Sequence, residues 1–348
     1  MHMADALLSP AVGTAMWAGS AVVGGYASKT LKKRIDDRTI PLMGVLGAFI
    51  FAAQMINFTI PGTGSSGHLG GGMILAILLG PHAAFLVMAS VLTIQALFFA
   101  DGGLLALGCN IWNLGFYPCY LVYPFLYKPL AGKSQRPGRI AAASIAGAVA
   151  ALQIGALSVV LETLLSGKSE LPFGAFLLLM QPIHLAIGVV EGLVTAGVIV
   201  YVRGARPELI ESITASKPLG PGIPLKKIMV TFGVLAILTG GVLSWFASTH
   251  PDGLEWAIEN ATGGDPLPEA TDGVAALLRG IQGKTAFLPD YNIRPSETAP
   301  GAGEEAASWP GVDPGTSTAG IVGGAVVLGL VGLVGATIRL ARKRERSR

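Results

Sequence analysis

The sequence predicts an all-α integral membrane protein: a polytopic helical bundle of about seven spans, followed by a two-span C-terminal unit with an external loop. Three observations predict it. Hydrophobic residues make up 51% of the 348 positions and charged residues only 13%, where soluble domains run near a quarter charged. The mean hydropathy is +0.60. The charges also avoid long stretches, which then have the length of bilayer spans, roughly 20 apolar residues each. The 48 glycines follow no collagen period and form no low-complexity tract, and in membrane helices small residues let backbones approach closely.

The apolar segments run at about 5–27, 40–60, 138–166, 173–202, 226–248 and 319–341. A longer apolar region, 70–127, is interrupted by Gly80-Pro81 and Asp101-Gly102-Gly103. Positive residues fall in four clusters: Lys29 to Arg38, Lys128 to Arg139, Arg203 to Lys227, and Arg339 to Arg348. The positive-inside rule places all four in the cytoplasm. Residues 61–69 are then outside and 128–139 inside, so an odd number of crossings lies between them. Three fit best, at about 70–81, 83–100 and 104–127. Nine spans result, with the N-terminus outside and the C-terminus inside the cell membrane. Broken or re-entrant crossings are tolerated where backbone lines a protein interior.

A Pro/Gly linker, 216–224, marks a boundary. Residues 1–217 form the seven-span unit and 218–348 the two-span unit. Between the last two spans lies a hydrophilic loop of about 249–318, with 11 of the 21 acidic residues against three Lys/Arg. Composition suits it to the outer face. The N-terminus lacks the basic residues of a secretory leader, since Lys29 to Arg34 follow the apolar run. Met1 is therefore expected as the mature first residue, the large His2 disfavouring methionine removal.

A histidine in second place has special chelating geometry. The terminal amine of Met1, the amide nitrogen of His2 and its ring nitrogen close a five- and then a six-membered ring around one metal, and one planar position stays open. A second histidine would complete a four-nitrogen plane, which suits Ni(II) or Cu(II) and less readily Co(II). His68 is the partner candidate, in the glycine-rich segment 62–72, on the same predicted side as His2. Ser66 in that loop, together with Asn110, His184 and Glu191, is a candidate for the groups behind the ligands. His184 and Glu191 stand seven positions apart, and a His–Glu pair joining two helices fits them equally. His82 suits a helical break and His250 a membrane edge.

Other chemistries lack their residues. Cys109 and Cys119, the only two cysteines, make no CxxC pair and read as buried thiols. Gly132-Lys-Ser, Gly167-Lys-Ser and Gly283-Lys-Thr lack the earlier glycine of a phosphate-binding loop. No HExxH is present, and nothing suggests a nucleic-acid partner. A planar four-nitrogen site leaves no open equatorial position for a metalloenzyme's substrate. The ladder Ala11, Ala15, Gly19 reads as a helix-packing seam or docking face.

Met1-His2, Gly64-Ser-Ser-Gly-His68-Leu-Gly-Gly-Gly72, Leu78-Leu-Gly-Pro81 and Phe99 to Asn110 together resemble the CbiM/NikM family, the substrate-capture components of energy-coupling factor transporters for cobalt and nickel. The likeness covers roughly 1–203. Pro251-Asp-Gly-Leu-Glu255 and its flanking spans look like the small CbiN/NikN-type partner, fused here. The resemblance implies a metal site of the terminal amine, the His2 amide and ring, and His68. It also implies a separate transmembrane coupling protein and two cytoplasmic ATPase subunits, with no resident cofactor and Ni(II) or Co(II) as cargo. Cys109 departs from the small residue, such as Ala, expected beside Asn110. A rival expectation is an autonomous secondary transporter, with Glu162 and Glu191 relaying protons or sodium.

Overall fold

The computed structural model describes residues 2–346 apart from 35, 133, 135, 169–170, 216, 221, 266, 268–272 and 294–309. The first helix, α1 (Pro10–Arg34), begins where Ser9 Oγ accepts from the Val12 N–H and Pro10 takes a first-turn position whose N–H would have no partner. α2 (Thr39–Gln54) follows. A two-stranded antiparallel hairpin then pairs β1 (Phe58–Ile60) with β2 (Ser65–Gly67), with Thr59 opposite Ser66. α3 (Gly72–Leu79) and α4 (Pro81–Phe99) are joined at Gly80-Pro81. α5 (Leu107–Ile111) continues through wide π-helical turns over Trp112–Tyr127 into α6 (Lys128–Ala131). Pro118 and Pro124 sit inside those turns, where their missing N–H groups leave the ordinary helical ladder incomplete.

α7 (Pro137–Leu165) and α8 (Phe173–Ala205) pack side by side as the longest pair, and the short α9 (Pro207–Thr214) follows. The C-terminal unit contributes α10 (Leu225–Gly241), α11 (Gly253–Thr262), α12 (Gly273–Thr285) and α13 (Pro314–Arg346). α10 and α13 pack on each other and on α2. At the basic end, Arg38 seals the seam between the units by donating to the carbonyls of Leu219 at 3.2 Å and Ile223 at 2.6 Å.

Among the described residues, four helices are long and apolar enough to cross a membrane: α4, α7, α8 and α13. The helical class expected from composition is thus present, with differences in its parts. The expected span 40–60 is helical only to Gln54 and gives way to the hairpin, whose turn uses Gly62 and Gly64 at positive φ. The expected span 70–81 is an eight-residue helix, about 12 Å long against a hydrocarbon core of about 30 Å. It is completely buried by its neighbours. The segment 226–248 is α-helical only to Gly241. The expected hydrophilic loop 249–318 contains α11 and α12.

Candidate metal centre

Two segments distant in sequence meet at the end of the bundle where α2 and α4 finish and α1 begins. The first is the N-terminus. Asn110, buried on α5, accepts from the Met3 N–H at 2.8 Å and donates Nδ2 to the Met3 carbonyl at 3.3 Å. The Gly103 N–H donates to the same carbonyl at 2.9 Å. Asp5 Oδ1 accepts from the Ala106 N–H at 3.0 Å. A side chain at Gly103 has no room, since its Cβ would lie 1.8 Å from Asp5 Oδ1. The chain from His2 to Asp5 is therefore held as tightly as an internal strand, by backbone-directed bonds.

The second segment is the run that carries His68. Its backbone is irregular where α8 and α2 enclose it, so its polar groups need internal partners. Glu191 on α8 supplies two: Oε2 accepts from the Gly70 N–H at 2.7 Å and Oε1 from the Gly71 N–H at 3.0 Å. Gln54 donates to the Gly70 carbonyl at 2.8 Å and accepts from Gln95 at 2.9 Å. Gly71 takes φ 74°, a left-handed conformation that favours glycine. Of the two sequence readings of Glu191, the pair with His184 is not the one formed. The Glu191 carboxylate seats the His68 segment, because two converging N–H groups satisfy it better than one ring could.

The rings of His2 and His68 stack with centroids 5.0 Å apart and planes 3° from parallel. His2 Nδ1 donates to Asp101 Oδ1 at 3.0 Å, and the His2 side chain is only 6% exposed. His2 Nε2 has no hydrogen-bond partner among the described residues. His68 Nδ1 donates to the Leu69 carbonyl at 3.1 Å, which leaves its Nε2 lone pair outward. That nitrogen faces Asp252 Oδ2 at 3.7 Å. Met1, the remaining predicted ligand residue, lies outside the described residues. Among those described, no three His, Cys, Asp or Glu side chains yet converge as a metal cage.

Asp252 and Asp101 went unnoticed as site residues in the sequence. Asp252 belongs to the Pro251–Glu255 motif, which composition alone assigns to a solvated loop. A parallel bridge pairs it with Ser66. The Ser66 N–H donates to the Pro251 carbonyl at 2.8 Å and its hydroxyl to the His250 carbonyl at 2.8 Å. Ser66 therefore fastens the C-terminal unit to the hairpin and does not touch the histidine rings. Asp101 ends α4, and its second oxygen accepts from the Tyr291 hydroxyl. Burial works against charge on both carboxylates. The His2 contact nonetheless brings Asp101 down to about 2, and the charge of the terminal amine, with the contact to His68, holds Asp252 well below the usual range.

A cavity of about 520 Å³ opens beside the stacked rings, bordered by Asp101, Asp252, Glu255, Arg279 and Tyr291. The other candidates lie elsewhere. His184 is 1% exposed and donates Nδ1 to the Met180 carbonyl at 2.8 Å. His82 pairs with Tyr120 at 2.9 Å beside Gly80 and Lys217, at the basic end of the bundle. His250 is exposed. Glu162 accepts from Asn113 at 2.9 Å and Ser158 at 3.1 Å.

A multi-helix transmembrane fold with a buried, stacked pair of histidines, one near the start of the chain, defines a membrane protein built around a small polar centre. The chain belongs to the CbiM family, the cobalt uptake substrate-specific transmembrane region, which matches residues 2–209. A PDGLE domain matches residues 226–340. The chain is 35% identical over 335 residues to the NikMN chain of Archaeoglobus fulgidus, covering 95% of this chain and 96% of that one. It is 30% identical to the fused nickel transport protein NikMN of Rhodobacter capsulatus over 315 residues, 84% of this chain and 88% of the relative. A solved structure described as a truncated transition metal transporter superposes with a TM-score of 0.52 at 32% identity, spanning 59% of this chain and 99% of that one.

Proposed function

We propose that this chain captures Ni(II) or Co(II) at the outer membrane face and is the substrate-specific component of an ATP-driven energy-coupling factor transporter. The observation that carries the proposal is the buried stack of His2 on His68 beneath a firmly seated N-terminus. Chelation by the His2 amide and ring in a six-membered ring runs through Nδ1, and the Met1 amine extends it by a five-membered ring. His68 Nε2 closes the plane, its tautomer already set by the Leu69 carbonyl. Loading then exchanges the ion for Asp101 at His2 Nδ1 and for Asp252 at His68 Nε2. Both displaced groups are carboxylates, which also favour the approach of a cation.

The fused nickel transport relatives and the cobalt uptake family support the cargo class. Planar nitrogen ligation favours nickel. A separate transmembrane coupling protein and two cytoplasmic ATPase subunits would drive release inward, with the N-terminus outside and the C-terminus in the cytoplasm. The carboxylates a proton- or sodium-coupled carrier would need are engaged as structural acceptors, Glu191 by two glycine amides and Glu162 by Asn113 and Ser158. Uptake of radioactive nickel by cells carrying the chain and its partners tests the coupling. Inactivating the ATPase subunits is expected to abolish accumulation; accumulation that survives would support the autonomous carrier instead.

A further inference from the structure

His184 has no part in the planar site, yet its surroundings are those of a ligand. It is 1% exposed on α8. Its Nδ1–H is spent on the Met180 carbonyl at 2.8 Å, which fixes the tautomer and leaves Nε2 as a lone pair. Nε2 is buried and has no partner among the described residues. A backbone carbonyl holding one ring nitrogen while the other stays open is the arrangement that metal-binding histidines use. A buried ring nitrogen without a partner otherwise destabilises the fold.

Nε2 belongs to a ring that lines a small cavity shared with His68, Asp252 and Gly253, between α8 and the start of α11. Its room is that of about one water-sized body. The His184 ring lies against Gly253, whose Cβ would sit 3.3 Å from His184 Cε1, so a side chain there would crowd both. Asp252 divides its two oxygens between tasks. Oδ1 caps α11, accepting from the Leu254 N–H at 2.8 Å and the Glu255 N–H at 2.9 Å. Oδ2 faces His68 Nε2 at 3.7 Å. The His68 and His184 rings and the Asp252 carboxylate thus line one space without yet converging on a single point, and two imidazoles with a carboxylate are a donor set that suits a divalent transition ion.

We propose that His68 Nε2, Asp252 Oδ2 and His184 Nε2 form a second, transient site for a divalent transition-metal ion, through which the ion passes to or from the planar centre, with His68 shared between the two. This rests on the capture function proposed above. The C-terminal unit contributes a ligand directly, which gives the fusion of the two units a chemical reason. The site is weaker than the planar one because it supplies three protein donors and no chelate ring.

The test uses the full-length chain in detergent, with nickel chloride and cobalt chloride as probes. Calorimetry would measure affinity, and Co(II) d–d absorption would report coordination. His2→Ala removes the planar centre. Its residual binding is expected to weaken by at least about tenfold on adding Asp252→Asn or His184→Gln. Asn retains the helix cap through Oδ1, so Asp252→Asn removes only the charged ligand. Retention of the native far-ultraviolet circular dichroism and elution volume would show that each variant folds. In the otherwise native chain, His184→Gln is expected to slow cobalt loading while changing equilibrium affinity by less than about threefold. A His2→Ala chain with no residual binding overturns the second site, as does residual binding indifferent to both substitutions. Failure of the native chain itself to bind either metal contradicts the capture function instead.

Discussion

The walls of the proposed metal centre are built in different ways. The inner wall, from α5 and α8, touches backbone: Asn110 clasps Met3, and Glu191 gathers the amides of Gly70 and Gly71. The outer wall, from the end of α4 and the C-terminal unit, touches rings: Asp101 meets His2 and Asp252 meets His68. Backbone bonds fix where a ligand stands, whereas a carboxylate on a ring nitrogen holds a place that a cation can take. The inner wall should therefore set equilibrium affinity, and the outer wall the rate of loading.

Substitutions can break that contrast. Gly103→Ala places a Cβ where Asp5 Oδ1 stands, 1.8 Å away, and unseats the N-terminus. Nickel affinity is expected to fall by about a hundredfold in calorimetry. Asn110→Ala leaves the Met3 N–H without its acceptor in a buried place, and a loss of about tenfold to a hundredfold is expected. Glu191→Gln keeps one acceptor for two amides and should cost about tenfold. Tyr291→Phe and Gln282→Ala, in the outer wall, should leave affinity within about threefold while altering stopped-flow loading. Gln282 donates to the carbonyls of Ala96 and Gly102, so its loss loosens the loop over the cavity. An outer-wall substitution as costly to affinity as Asn110→Ala would dissolve the distinction.

A smaller effect concerns acid. Asp101 has a pKa of about 2 in the folded chain, below the ordinary value of about 3.9. Its contribution to stability is fully present above the ordinary value and is lost as pH falls toward 2. Asp101→Asn should flatten that acid limb of the melting temperature, measured from about pH 5 down to about pH 2.

Hydropathy made the helical class legible, since α4, α7, α8 and α13 are long apolar runs broken only at their ends. It misjudged α3 because burial by neighbouring helices and burial in lipid leave the same apolar signature. Eight residues from Gly72 to Leu79 continue into Gly80-Pro81 with no change of composition. The meeting of His2 with His68 was legible through chelate chemistry and a shared predicted side. Asp252 was not, because one carboxylate among the 11 of an acidic loop carries no mark of its position until Ser66 bridges to it. Glu191 was noticed as an ionisable residue in an apolar span, but its partners were not legible, since glycine amides leave no trace in a side-chain pattern.

The most direct measurement compares Ni(II) and Co(II) binding by the purified native chain with His2→Ala, His68→Ala and a chain carrying one extra residue before Met1. Extension leaves every side chain in place and removes only the amine from its chelating position. The account predicts that the extended chain loses high-affinity binding as fully as either alanine variant. An extended chain that binds like the native one would contradict it, and the amine–amide–imidazole chelate would have to be abandoned.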